Sequence, residues 1–197
     1  MGITLWVVPC EGDMLKLKRI MDIRPTGKPA LETISYPKFD PHITLASLPS
    51  PSDISLSQLR ESLPKNQSSL KVNFRLVDVG DHFFRSVYIA VTLTPELVEI
   101  HRCVHEALQL EPRTPLFPHI SLCYITDTDA GHGERQRFRD ELQAAGKLRE
   151  VSRGTVELDC GVEGEDWLSG FMASEVWIVE CEGPVESWRV LERITLS

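Results

Sequence analysis

No apolar run in the sequence approaches the ~18 residues that a membrane helix requires. The apolar start, Met1-Gly2-Ile3-Thr4-Leu5-Trp6-Val7-Val8-Pro9, has neither a basic flank nor a small-residue cleavage site. It reads as a first strand rather than as a signal peptide. Positive charge is in short supply: 21 Lys and Arg face 29 Asp and Glu, a formal net charge of -8. Phosphate backbones need clustered lysine and arginine, so this balance argues against a broad nucleic-acid surface. It leaves room for a small phosphorylated ligand in a pocket. The five cysteines, Cys10, Cys103, Cys123, Cys160 and Cys181, are dispersed and form no C-x-x-C pair. They offer no zinc ribbon and read as reduced intracellular thiols, each a small buried apolar residue. A G-x-S-x-G elbow and an H-E-x-x-H helix are both missing, which weakens a serine-hydrolase or zincin reading.

What is present suits one globular domain spanning residues 1–197: 42% of the 197 residues are apolar and 25% charged. Alternation and β-branched content predict strands over Ile3–Val8, Pro41–Leu48, Leu70–Val79, Phe83–Leu93, Pro118–Ile125, Gly154–Val162, Ser174–Glu182 and Val185–Thr195. Helical spacing predicts helices over Met14–Met21, Ser55–Leu63 and Gly133–Ala145. A further helix starts at the cap Thr94-Pro95-Glu96 and runs through Leu110. Gly80-Asp81-His82 reads as a hairpin turn, and the segment from Asp127 to Gly133 reads as a loop. Adjacent strand pairs with interspersed helices point to an α+β fold with mostly antiparallel sheets.

One short phrase occurs twice. Pro41-His42-Ile43-Thr44-Leu45 returns as Pro118-His119-Ile120-Ser121-Leu122. Composition alone yields about one H-x-[S/T] by chance, so a single copy means nothing. Two copies in the same five-residue frame, each on a strand pattern, are much harder to produce by accident. Side chains alternate faces along a strand. His42 and Thr44 therefore share one face, as do His119 and Ser121, while Ile43, Leu45, Ile120 and Leu122 turn to the core. If the two strands are pseudo-symmetric, two imidazoles and two hydroxyls meet in one cleft. Imidazole titrates near neutrality, so one ring can take a proton from water while the other gives one to a leaving oxygen. Hydroxyls can hold the nonbridging oxygens of a phosphate in line between them. That chemistry hydrolyses a phosphoester without a metal.

The paired PHITL and PHISL segments resemble the two-histidine (2H) phosphoesterase superfamily. Leu5-Trp6-Val7-Val8-Pro9, Gly80-Asp81-His82-Phe83-Phe84-Arg85-Ser86-Val87 and Cys181-Glu182-Gly183-Pro184-Val185-Glu186-Ser187-Trp188-Arg189-Val190-Leu191 are similar to segments of its fungal cyclic phosphodiesterase branch. The segment from Trp167 to Ala173 has no match residue by residue. The resemblance implies a bilobal fold, two antiparallel sheets facing a central cleft with helices outside. It implies metal-independent opening of nucleoside 2′,3′-cyclic phosphates to 2′-phosphates, and of ADP-ribose 1″,2″-cyclic phosphate from tRNA splicing to the 1″-phosphate. No cofactor is implied. His119 would activate water and His42 would protonate the leaving oxygen, or the reverse; Thr44 and Ser121 would bind the phosphate, and Tyr124 the substrate. The expected partner is a small cyclic phosphate nucleotide, with no extended nucleic acid and no membrane span, and the chain is expected to be a monomer. The expected location is the cytoplasm, with Golgi association suggested by the fungal members. An RNA-end-processing 2H enzyme and a non-catalytic nucleotide binder of the same fold are the competing readings.

Other residues carry weaker signals. Tyr124 lies five positions after His119 and so faces away from it if the strand stays regular. Phe83, Phe84 and Trp6 fit either the core or a base-stacking surface. His101 and His105 share a helix face and read as exposed, as do His82 and His132. Arg135, Arg137 and Arg139 read as a solvated face. Arg24, Lys28 and Arg85 could each meet a diphosphate, and spacing selects none of them.

Overall fold

A computed structural model describes residues 2–50, 52–111, 117–152 and 154–196. Pro51, in the Pro/Ser stretch that follows the first motif, and Met1 lie outside the described residues. The β-branched start forms β1 (Ile3–Val8), followed by α1 (Glu11–Met21), β2 (Ile43–Ser47) and α2 (Leu56–Glu61). Ser55 and Gln58 close a capping box at the start of α2. Next come β3 (Leu70–His82), β4 (Arg85–Val91) and α3 (Pro95–Ala107), with Thr94 as its cap and proline at its first position. The second half holds β5 (His119–Cys123), α4 (Asp127–Gly131), α5 (Glu134–Ala144), β6 (Leu148–Ser152), β7 (Thr155–Asp159), β8 (Trp167–Leu168), β9 (Gly170–Ala173), β10 (Glu175–Glu180) and β11 (Arg189–Thr195).

The described strands form three antiparallel sheets, in the orders β11-β10-β1-β2, β5-β4-β3-β9 and β6-β7-β8. The α+β expectation holds. Each motif strand is an edge of its four-stranded sheet, and β2 and β5 pack against each other. Leu5, Ile43, Leu45, Ile89, Ile120 and Leu122 are fully buried, and they join one core with Leu17 and Ile20 of α1, Leu97 and Ile100 of α3, and Phe138 of α5. The apolar alternation of both motifs thus points inward, as the period of two requires. Among the described residues no helix is long and apolar enough to cross a membrane.

Several expectations need correction. The hairpin does not turn at Gly80-Asp81-His82, since β3 continues to His82 and the chain turns at Phe83-Phe84. Gly80 instead marks a register irregularity between Val79 and His82, where a Cβ would sit 2.0 Å from the Arg85 carbonyl oxygen. Glycine is there for close backbone approach, not for the turn. The Asp127–Gly133 loop contains α4, capped by the Thr126 hydroxyl. The strands β6, β8 and β9 are absent from the sequence expectation, and the first residues of the last predicted strand form a 3-10 turn, Val185–Ser187. Cys123, Cys160 and Cys181 are buried as expected, but Cys10, just before α1, is exposed and Cys103 on α3 is half-buried. Arg135 is not on a solvated face. It is buried, and donates to the Ile125 carbonyl (2.9 Å), to Asp127 (2.8 Å) and to the Ser86 hydroxyl (3.2 Å), fixing the chain just beyond β5.

Candidate active site

Cross-strand pairing sets the site. Trp6 lies opposite Thr44, and Thr4 opposite Ser47. Opposed residues in an antiparallel pair share a face, so all four line one side of the first sheet. On the second sheet Ala90 lies opposite His119 and Tyr88 opposite Ser121. Between the two sheets is a cavity of about 340 Å³, lined among others by Trp6, His42, Thr44, Phe84, His119, Ser121, Tyr124 and Trp188. The two motifs therefore meet, and His42, Thr44, His119, Ser121 and Tyr124 all line one space.

His42 stands just before β2 and is 7% exposed. Its ring lies flat on the Trp6 indole, with centroids 3.7 Å apart and planes 6° from parallel. The edge of Phe39 closes on it at 6.2 Å. Nδ1 lies 2.6 Å from the Asp40 carbonyl oxygen. A carbonyl only accepts, so Nδ1 carries the proton and Nε2 is the atom left for chemistry. Burial pushes the His42 pKa down from 6.5 to about 4; the Asp40 carbonyl opposes that shift, and the charge of His119 adds to it. The two rings are thus close enough for a proton on one to disfavour a proton on the other. His119 opens β5, is half-buried, and meets the Tyr88 ring edge-on at 5.6 Å.

The hydroxyls differ. The Ser121 hydroxyl donates to the Phe84 carbonyl at 2.7 Å, whereas Thr44 is half-buried on the facing sheet. Tyr124 reaches the cavity because β5 ends at Cys123, so strict alternation no longer governs its direction. It is buried and stacks on Phe39 at 3.9 Å, and burial raises its phenol pKa.

Phe84 and Trp188 form an aromatic wall, their centroids 5.9 Å apart, and Trp188 also meets Trp6 at 5.9 Å. Sequence reasoning left Trp188 unassigned; its place opposite the motif strands depends on the β10–β11 connection, which no short-range pattern reports. His105 was expected on an exposed helix face. It is buried, donates from Nδ1 to the His101 carbonyl oxygen (2.8 Å), and lines the cavity with exposed His82. Of the three cations considered for a diphosphate, Arg85 lines the cavity. Arg24 lines an adjoining space of about 390 Å³ and donates to the Met21 and Ile23 carbonyls, and Lys28 lines neither. Among the described residues no group of three or more His, Cys, Asp or Glu is arranged to hold a metal ion.

Known proteins share this architecture. A solved structure titled as a phosphoesterase covers 100% of this chain and 98% of its own, with a TM-score of 0.56 at 14% identity. E. coli LigT complexed with phosphate covers 98% of this chain and 96% of its own, with a TM-score of 0.54 at 11% identity. At such identities the likeness establishes the fold. In sequence, a 2′,3′-cyclic-nucleotide 3′-phosphodiesterase of Yarrowia lipolytica is 24% identical over 97% of this chain and 98% of its own length. A cyclic phosphodiesterase of Arabidopsis thaliana is 25% identical over 64% of this chain and 66% of its own. The family described as cyclic phosphodiesterase-like protein matches residues 1–196, both motifs included, and the chain belongs to that family.

Proposed function

We propose that the protein hydrolyses cyclic phosphodiesters, opening nucleoside 2′,3′-cyclic phosphates to 2′-phosphates by acid–base catalysis between His42 and His119. The observation that carries this reading is that the two motif histidines and both motif hydroxyls line one cavity. A proton on one ring disfavours a proton on the other, so when one is protonated the other stays neutral, which is the pairing acid–base catalysis needs.

Neutral His42, with Nδ1 bound to a carbonyl, presents Nε2 as the base. It takes a proton from water as the water oxygen attacks phosphorus. The phosphorus–O3′ bond breaks, and O3′ receives its proton from His119. His42 ends protonated and His119 neutral, and exchange with solvent restores the pair. Thr44 and Ser121 hold the nonbridging oxygens. Tyr124, Phe84 and Trp188 present ring surface to the nucleoside, where stacking contributes ~1–3 kcal/mol per base in nucleic-acid sites. The same chemistry would open ADP-ribose 1″,2″-cyclic phosphate, a by-product of tRNA splicing. It needs no metal and acts on a small molecule, with the chain working as one bilobal domain. The names of the Yarrowia and Arabidopsis relatives support the reaction class.

Incubation with adenosine 2′,3′-cyclic phosphate in the presence of a chelator, followed by separation of the products, tests the reading. Conversion to the 2′-phosphate is the expected result. Formation of the 3′-phosphate would reverse the assignment of the leaving oxygen, and absence of turnover would overturn the reading.

A further inference from the structure

The two motif histidines differ in what stands two residues before them. The first segment reads Asp40-Pro41-His42, the second Phe117-Pro118-His119. The first alone places a carboxylate within local reach of its ring. An aspartate side chain readily reaches groups two residues further along the chain, as Asx turns show. A carboxylate on Nδ1 orients a catalytic imidazole and stabilises its protonated form, as in a Ser-His-Asp triad. Asp40 is arranged otherwise. Its backbone carbonyl oxygen takes the His42 Nδ1 proton at 2.6 Å. Its carboxylate meets the Lys18 ammonium, also at 2.6 Å. Asp40 lines the adjoining space of about 390 Å³ together with Lys18, and neither lines the cavity that holds both histidines.

Lys18 leaves from a fixed backbone. It stands in the last turn of α1, whose Leu17 and Ile20 are buried in the core. The paired side chains are 41% and 30% exposed. An ion pair this open adds little stability, so its consequence is positional. Arg24, Lys38, Asp22 and Glu186 share the adjoining space, and Arg24 is turned to the Met21 and Ile23 carbonyls. His119 faces His42 from the other sheet and disfavours its proton. The Asp40 charge favours that proton, yet it weighs less on His42 than burial, the carbonyl bond or His119. A carboxylate turned onto Nδ1 would weigh far more, since an opposite charge within about 4–6 Å moves a pKa by about 1–3 units.

We propose that Lys18 is a positioning residue, drawing the Asp40 carboxylate away from His42 so that Nδ1 bonds a neutral carbonyl and the ring works as an uncharged base. The inference rests on the reading of His42 as the base, and its test needs no turnover, so the two can fail separately. Titration of the His42 ring by NMR, its signal assigned by its loss in His42→Ala, reads the effect directly. In Lys18→Met the carboxylate is released, and the His42 midpoint rises by about one pH unit or more. Lys18→Arg, which keeps the pair, holds the wild-type midpoint. Asp40→Asn does not raise it, and Lys18→Met made in the Asp40→Asn background has no further effect. Thermal unfolding of Lys18→Met stays close to wild type, as loss of an open ion pair should leave it. A wild-type midpoint in Lys18→Met would overturn the proposal. So would a rise that persists in the Asp40→Asn background, which would assign the effect to the Lys18 charge itself. A raised midpoint with an unmoved acid limb of kcat/KM would uphold the role of Lys18 and overturn the reading of His42 as the base.

Discussion

His42 and His119 occupy equivalent places in two nearly identical pentapeptides, and the protein surrounds them differently. His42 is buried face-on against Trp6, pinned at Nδ1 by a carbonyl, and kept neutral to about pH 4. His119 is half-buried at the start of an edge strand, with a tyrosine edge beside it. The hydroxyls are unequal too, Ser121 being engaged with the Phe84 carbonyl. An acid–base pair works when two like groups are held in unlike protonation states. Duplication of a motif supplies the like groups, and unlike packing supplies the difference.

Removing either ring breaks the comparison most severely. His42→Ala and His119→Ala should each slow hydrolysis of a 2′,3′-cyclic nucleotide by at least ~10²–10⁴-fold, the span typical of a lost acid or base. Because the rings act as a unit, the double variant should be little slower than the slower single variant. Initial rates, with circular dichroism to confirm folding, decide it. Near wild-type turnover in either single variant would end the acid–base assignment.

The hydroxyls come next. Thr44→Ala and Ser121→Ala should cost about 10–10³-fold in kcat, as loss of one transition-state donor does. The Ser121 proton is already donated to Phe84, so it must leave that bond to serve a phosphate. Thr44→Ala should therefore show the larger rate loss. Ser121→Ala should show the larger stability loss, on the order of 1 kcal/mol for the hydrogen bond removed. Thermal unfolding beside the kinetics reads both, and equal rate losses with equal stability would erase the distinction drawn between the halves.

Much of this asymmetry was hidden in the sequence, while the symmetry was plain. Period-two alternation in the two pentapeptides gave the buried faces of Ile43, Leu45, Ile120 and Leu122, because a local pattern decides a local face. The likeness of the pentapeptides also pointed to a shared cavity. Contacts made by residues distant in the chain were not legible. Trp6 meets His42 through β1–β2 pairing, and Trp188 arrives from the other end of the sequence. His105 looked exposed because amphipathic spacing on α3 already has an apolar face in Leu97, Ile100 and Val104. Gly80 looked like a turn because a glycine needed for close backbone approach and one needed for a turn are identical in sequence. Strand β6 is exposed beyond half-buried Leu148 and so carries no alternation, while β8 and β9, with two and four residues, are too short for it to register.

The subtlest effect is on pH dependence, and it sharpens the assignment of the two roles. A base must be unprotonated, so kcat/KM should fall on acidification only as the pH approaches the His42 value of about 4, not near the ordinary 6.5. Burial is the main cause of that depression, and the Trp6 indole supplies one wall of it. Trp6→Ala should admit water and move the acid limb upward toward 6.5, and Trp6→Phe should move it less. Stability has the same sign. The unfolded chain binds more protons than the folded one between 6.5 and about 4, so the contribution of His42 is complete above that window and lost as the pH falls through it. His101, also lowered to about 4 by burial and by His105, adds to the stability slope but lies outside the cavity that His42 and His119 line. The rate profile therefore isolates His42 where unfolding cannot. An acid limb near 6.5 that stays put in both Trp6 variants would mean that His42 enters the reaction protonated, and the two rings would exchange roles.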